Sequence, residues 1–336
     1  MVNINIFLAY TEYHILIANS IILDRYRESV NYIFYQQSNR IGSNLQSSFP
    51  FIVYRQIPEQ YANNETLSKF LSLNPNHFFC FHSSGSDAIY VCYWMKLHNI
   101  TVSLVQDGAV PYTIRHEKYK FLKVIKYTSL AYFTYLKRHL YINKLIPIGI
   151  SDYGGYYFYD NIWLSYPESF SNKYHKKIIR IPDLTKEVLR ETEKLFPYDY
   201  SAIDKYAVLI IGQPVMTESI DDDIEIISRI IDMVPDSKTI LYKSHPKTQI
   251  EHMNKLRTLP RIQFIDGQYP AELLILQMKD TAIISGYSTA LLTYNGISRY
   301  YWLYNLYRKN KLTSLFDMVN PTNFINVVHD FNEIVL

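Results

Sequence analysis

The chain has 336 residues, 48% of them hydrophobic, with 34 Lys and Arg against 31 Asp and Glu for a formal charge of +3. That length exceeds one compact core and suits two domains, the apolar content excludes a disordered chain, and the charge balance excludes an electrostatic binder of nucleic acid. Its two cysteines, Cys80 and Cys92, form neither a metal-ligand spacing nor a disulfide framework, which fits a reducing cytoplasm. Tyrosine is abundant, with 32 copies against 10 glycines. Its apolar ring and polar tip suit binding clefts and membrane-edge surfaces, and biased codon usage accounts for it as easily.

Residues 1–24 are apolar but contain Glu12 and His14, with no basic opening and no small-residue cleavage site. They predict a strand over 3–9 and a helix over 13–23, not a signal peptide. Strands follow at 31–35 and 77–81, then a helix at 86–98 behind Gly85. The β-branched run 101–105 predicts a strand that ends abruptly at Gln106-Asp107-Gly108. Strands alternating with helices imply parallel sheets built from βαβ units. Residues 119–145 are basic and aromatic, with Lys120, Lys123, Lys126, Lys137, Arg138 and Lys144. Such a segment is more often an ordinary amphipathic surface helix than one lying on an anionic membrane. No run reaches the roughly 18 apolar residues that span a bilayer.

Residues 148–197 are punctuated by Gly154-Gly155, Pro167, Pro182 and Pro197, which places the connection between domains at about 182–206. The expected division is 1–190, 200–310 and a C-terminal extension, 311–336, packed on the domains. The second half predicts strands at 207–211, 239–243, 263–265, 281–285 and 300–303. Ile220, Ile224, Ile227 and Ile231 share a helical face behind a Thr217/Ser219 cap, and further helices are expected at 272–278 and 289–295. This is the pattern of a doubly wound domain, whose ligands bind beyond the carboxyl ends of the strands.

There is no G-x-G-x-x-G, no phosphate-binding P-loop and no G-x-S-x-G elbow, so kinase, dinucleotide-enzyme and hydrolase readings lose their main supports. Asp221-Asp222-Asp223 looks like a metal-holding Asp-x-Asp, but acidic residues opening a helix simply complement its dipole. No H-x-x-x-H spacing supports a metal site.

Three short segments carry chemistry suited to a nucleotide sugar. In Lys243-Ser244-His245-Pro246-Lys247, a histidine stiffened by the following proline can donate a proton to a departing phosphate; its bland counterpart is a histidine in a surface turn. In Ser285-Gly286-Tyr287-Ser288-Thr289-Ala290, hydroxyls and free backbone N–H groups at a helix start make an anion site, and Gly286 permits close approach; the bland counterpart is a common Ser/Thr cap. In Tyr269-Pro270-Ala271-Glu272, a carboxylate can accept from both ribose hydroxyls, or merely favour the first helical turn. On successive strand ends the three form one pocket. In the first half, Asp107 at a strand end suits a general base for an acceptor hydroxyl, against the alternative of a plain Asp-Gly turn. Glu12, beside Thr11 and His14, is a second carboxylate after a strand.

In this order, these segments resemble the bacterial GT-B sialyltransferases of the capsular polysialyltransferase and lipooligosaccharide sialyltransferase type. The opening from Phe7 to Leu16 is similar to their first strand and helix, and Leu209-Ile210-Ile211-Gly212-Gln213-Pro214 to the start of their nucleotide domain. The resemblance implies two Rossmann-like domains facing across a cleft and inverting, metal-independent transfer of sialic acid from CMP-sialic acid to a glycan hydroxyl of lipooligosaccharide or capsule. His245-Pro246 would supply the acid, Ser288-Thr289 the phosphate grip, and Glu272 the ribose contact, with Gly212, Gln213 and Ser285 lining the donor site. The acidic-acidic-Gly motif that supplies the family's base corresponds to Gln106-Asp107-Gly108. Gln106 cannot take a proton, so the role passes to Asp107, or to Glu12, or the acceptor differs; of these, Asp107 is the expected base. Other implied partners are an oligosaccharide acceptor and the inner face of the cytoplasmic membrane, with no cofactor and no nucleic acid. Rival readings are transfer of another CMP-linked acid sugar such as Kdo or a different nonulosonate, a catalytically degenerate binding module in glycan assembly, and an epimerase or phosphosugar enzyme of two similar domains that binds UDP.

Overall fold

A computed structural model describes residues 2–36, 41, 45–83, 85–115, 121–144, 146–148, 153–196, 206–213, 220–245, 247–265, 269–307, 316–318 and 320–336. The chain divides into two compact units, Met1–Leu195 and Phe196–Leu336. The expected Thr217/Ser219 cap, Pro214 and Pro246 lie outside the described residues.

The first unit runs β1 (Ile4–Ala9), α1 (Glu12–Arg25), β2 (Val30–Gln36), β3 (Ile52–Ile57), α2 (Asn64–Ser72), β4 (His77–Cys80), α3 (Ser86–Leu97), β5 (Thr101–Val105), β6 (Thr113–Arg115), α4 (Phe121–Lys137), β7 (Asn161–Leu164), β8 (Lys177–Arg180) and α5 (Lys186–Leu195). Seven strands form one sheet in the order β3-β2-β1-β4-β5-β7-β8, and every pairing is parallel. A parallel sheet covered on both faces needs strands that are apolar throughout. Phe7, Leu8, Phe78, Phe79, Val102 and Leu104 are accordingly all fully buried. Helix α1 is buried along almost its whole length, and it packs against α5 as well as the sheet. A helix covered on most sides must be apolar nearly all round, which is why its sequence lacks a polar stripe.

The second unit runs β9 (Tyr206–Ile211), α6 (Ile220–Met233), β10 (Thr239–Lys243), α7 (Ile250–Leu256), β11 (Ile262–Ile265), α8 (Ala271–Gln277), β12 (Ala282–Ser285), β13 (Arg299–Trp302), β14 (Phe316–Met318) and β15 (Ile325–Val327). Its sheet has the order β11-β10-β9-β12-β13-β15, again wholly parallel. Helix α6 buries Ile226, Ile227, Ile230 and Ile231 against this sheet's core cluster. Within the stretch expected to be an extension, β15 adds a sheet edge beside β13. The expected helix at 289–295 is a single 3-10 turn, Thr289–Leu292. Asn295 stops it: its side chain holds the carbonyls of Ile275 and Met278 and receives the Ser298 N–H, fixing the chain into a turn.

Parallel strands put all carboxyl ends on one edge of each sheet. In the first, strand order reverses between β1 and β4; in the second, between β9 and β12. Loops leaving such neighbours in opposite directions open a crevice for ligands.

Candidate active site

At the reversal point of the first sheet, three strand ends bring together Tyr10, His14, His82 and Asp107. Thr11 caps α1, its hydroxyl accepting from the His14 N–H at 3.3 Å, and this fixes the first turn that carries the His14 ring. His14 is wholly buried and stacks on Phe81 with ring centroids 4.4 Å apart. Its Nδ1 accepts from the Tyr10 backbone N–H at 3.1 Å. The ring proton therefore sits on Nε2, which faces Asp107 Oδ1 at 3.1 Å. On the other side, His82 stacks on Tyr10 at 4.0 Å and brings its Nε2 to 3.7 Å from Asp107 Oδ2.

Asp107 is thus oriented from both sides while its side chain stays 39% exposed. Burial pushes its carboxyl pKa up, but the field and hydrogen bond of His14, with the nearby His82, outweigh that and leave it below the ordinary range. Burial, reinforced by His14, pushes His82 down to about 4 despite Asp107, so His82 is neutral near pH 7. The result is an ionised, reachable carboxylate in a fixed orientation. Gly108, at φ +58°, takes a left-handed turn that releases the chain directly after it.

Gln106, expected beside Asp107 in the site, points the other way. It is fully buried, and its Oε1 accepts from the Tyr112 hydroxyl and the Ser165 N–H, both at 2.8 Å. It ties β5 to the chain leaving β7. Glu12, the alternative base, opens α1 but is only 5% exposed, so of the two carboxylates Asp107 is the accessible one.

In the second sheet, the register pairs Ile211 with Lys243 and Ile210 with Ile284, so Gly212, Ser244 and Gly286 leave from one edge. His245 is half-buried, and its Nδ1 accepts from the Lys247 N–H at 3.0 Å. This places the proton of the neutral ring on Nε2. Ser288 is half-buried and Thr289 exposed. The Ser288 hydroxyl accepts from the Ala290 N–H at 3.3 Å, and its carbonyl accepts from Trp302 Nε1 at 3.1 Å. Glu272 is half-buried in the first turn of α8. A single 3-10 turn has almost no macrodipole, so an anion here would rely on hydroxyls and individual N–H groups instead.

The other residues expected in this pocket are buried braces. Ser285 donates to the Ile211 carbonyl at 2.7 Å and accepts from the Ser288 N–H at 3.1 Å, which fastens the turn to the neighbouring strand. Gln213 accepts from the Tyr287 N–H at 2.6 Å and donates to the Tyr307 hydroxyl at 2.9 Å. Gly286 makes room for this amide: a Cβ there would meet Gln213 Nε2 at 1.9 Å. Gly212 has a similar reason, since a Cβ would lie 2.7 Å from the Tyr242 hydroxyl. Tyr307 in turn hydrogen-bonds Asp223 Oδ1, and Asp223 Oδ2 lies 2.8 Å from His252 Nε2 in the interior.

Sequence reasoning did not find this Asp223–Tyr307–Gln213 relay, nor the His82 contact to Asp107. In sequence Asp223 looks, like its neighbours, a dipole complement, whereas in the structure Asp221 pairs outward with Lys255 at 2.8 Å and Asp223 turns inward. The available signal was positional: His14 and His82 each follow a predicted strand on the same edge as Asp107.

A family model described as alpha-2,8-polysialyltransferase (POLYST) matches residues 5–300. No curated protein sequence matches. Among solved structures, the chain is similar to the GT-B domain of a sialyltransferase from Photobacterium damselae, at 11% identity and TM-score 0.52, covering 90% of this chain and 91% of that one. A 2,6-sialyltransferase from a Vibrionaceae Photobacterium sp., solved with donor product CMP and acceptor lactose, gives 11% identity and TM-score 0.56 over 89% of this chain and 71% of the other. UDP-N-acetylglucosamine 2-epimerase from Rickettsia bellii gives 11% identity and TM-score 0.51, covering 87% and 76%. At such identity these likenesses establish the fold, shared by transferases and epimerases alike.

Proposed function

Since the chain belongs to the alpha-2,8-polysialyltransferase family and is a sialyltransferase-type glycosyltransferase with a CMP-sialic acid donor and a glycan acceptor, we propose that Asp107 is its general base and His245 its general acid in an inverting, metal-independent transfer. The observation that carries this reading is the half-exposed Asp107 carboxylate, held ionised between His14 and His82 at the strand-reversal point.

In the proposed step, an acceptor hydroxyl gives its proton to Asp107 and its oxygen attacks the anomeric carbon of the sialic acid. The bond from that carbon to the CMP phosphate breaks, and the electron pair leaves on the phosphate oxygen. His245 Nε2–H, with the Ser288 and Thr289 hydroxyls, receives the developing charge, while Glu272 takes the ribose hydroxyls. A leaving group whose charge is already delocalised over a phosphate needs no Lewis acid in this scheme, so transfer should persist in excess chelator.

The contacts proposed for CMP do not involve the transferred sugar, so they admit other CMP-linked acid sugars. Gln106 lends no support to a degenerate module: its Oε1 is engaged in the fold, and the open carboxylate beside it is intact. Among the described residues no helix is long and apolar enough to cross a membrane. Both cysteines are free and buried. We propose a cytoplasmic location, peripheral to the inner face of the membrane, and the free cysteines fit such a reducing compartment.

The donor class is tested by thermal unfolding with CMP, UDP, GDP and ADP. CMP at a hundred times its dissociation constant should add about 2.7 kcal/mol of stability. Stabilisation by UDP in place of CMP would favour the epimerase reading.

A further inference from the structure

We infer that the outer face of α4, with the loop that follows it, is a docking surface for a bilayer containing anionic phospholipid. One face of α4 is already satisfied. Ala131 and Tyr135 sit in the core of the first unit, the Tyr135 hydroxyl donates to the Ser86 carbonyl, and Thr128 accepts from the Ile148 N–H. The opposite face exposes large apolar side chains: Ile125 is 44% exposed, Leu130 59%, Phe133 57% and Leu136 67%. At 100° per residue these four side chains span an arc of roughly 140°. Tyr141 at 61% and Tyr157 at 51% continue the patch past the end of the helix. Clustered large apolar groups on an otherwise ordinary surface mark an interaction site.

Charge decides what covers it. Lys126 and Lys137 lie within the same arc, and Lys144 follows in the loop. The Lys137 ammonium sits 4.5 Å above the Phe133 ring and that of Lys144 5.6 Å above Tyr157. Lysines folded over aromatic rings within an apolar stripe can extend to headgroups while the rings enter the acyl boundary. Between Glu117 and Asp152 the chain carries no Asp or Glu. Arg138 is the exception among the basic groups, since it faces inward to Asp87 at 2.9 Å and serves the fold. A second copy of this chain would bring the same uncompensated positive patch against itself, whereas an anionic bilayer supplies both the apolar depth and the counter-charge.

This inference rests on the proposed membrane location and not on the catalytic assignments. Vesicle binding and CMP stabilisation therefore fail independently. The test is flotation of the full chain with vesicles of phosphatidylcholine alone or mixed with phosphatidylglycerol. Binding is expected only with phosphatidylglycerol, weakening as salt rises. Lys126→Gln/Lys137→Gln/Lys144→Gln should lower the partition coefficient by roughly a hundredfold. Leu130→Ser/Phe133→Ser/Leu136→Ser should abolish flotation with its far-UV circular dichroism unchanged. Absence of wild-type binding to phosphatidylglycerol vesicles would overturn the inference, as would equal binding to both vesicle types or full retention in both variants. A wild-type dimer in sedimentation that the apolar variant converts to monomer, without vesicle binding, would assign the face to a second copy instead.

Discussion

The two units share a topology and use its reversal point differently. In the first, the strand ends carry groups that titrate: a carboxylate between two imidazoles, one of them pushed down to about 4. In the second, the side chains that shape the turn, Ser285 and Gln213, are neutral, buried and wired to backbone. The difference matches the separate tasks proposed for them. Moving a proton needs a group whose charge state the protein can set, while holding a phosphate needs donors fixed in place before the ligand arrives. Each unit is therefore expected to fail in its own way when its site is altered.

The largest effect is expected at the histidine that the second edge contributes. His245→Ala should lower kcat by a factor on the order of 10²–10⁴. CMP affinity, read by calorimetry, should fall far less, because hydroxyls and N–H groups remain. A loss confined to CMP affinity would make His245 a binding residue and leave the acid unassigned.

Next comes the wiring behind the phosphate turn. Tyr307→Phe removes the link between Asp223 and Gln213 and leaves buried polar groups short of a partner, at a cost of about 1–3 kcal/mol. Gly286→Ala displaces the same Gln213 amide and should cost a similar amount, about 1–3 kcal/mol. Because both act through Gln213, the double variant should be less destabilised than the sum, as read from denaturant unfolding. Simple additivity would show that the relay does not act as a unit.

The smallest effect is a displacement along the pH axis. Burial alone raises the Asp107 carboxyl, and His14 supplies the main opposing pull. In His14→Gln the carboxyl should therefore titrate at higher pH. The acidic limb of kcat/KM, which requires ionised Asp107, should move upward, with the rate above pH 7 changing much less. An unmoved limb would separate His14 from the base.

Much of this contrast was readable in the amino-acid sequence, though unevenly. The strands 101–105 and 239–243 are found as predicted, since buried parallel strands are continuous apolar runs bounded by polar breaks. Strands β3, β6, β7, β8, β14 and β15 and helices α2, α5 and α7 have no counterpart among the expected elements. Arg55-Gln56 in β3 and the polar ends of β8 belong to half-exposed edge strands that lack such a run. The positions of Asp107, His245, Ser288 and Thr289 just beyond strand ends were legible because short polar motifs break the apolar runs there. The roles of Gln106 and Gln213 were not legible, because which way a glutamine points depends on partners far along the chain: Ser165 for one, Tyr307 for the other. Asp223 illustrates the same limit. A carboxylate in a first helical turn looks like dipole complement until His252 and Tyr307 are brought to it.

The central claim is that proton removal belongs to the first unit and donor grip to the second. The most direct test is Asp107→Asn, assayed for sialyl transfer from CMP-sialic acid and, on the same sample, for CMP-induced thermal stabilisation. The account predicts that transfer falls by a factor on the order of 10²–10⁴ while the CMP shift stays at the wild-type value. Undiminished transfer, or loss of the CMP shift together with activity, would contradict it.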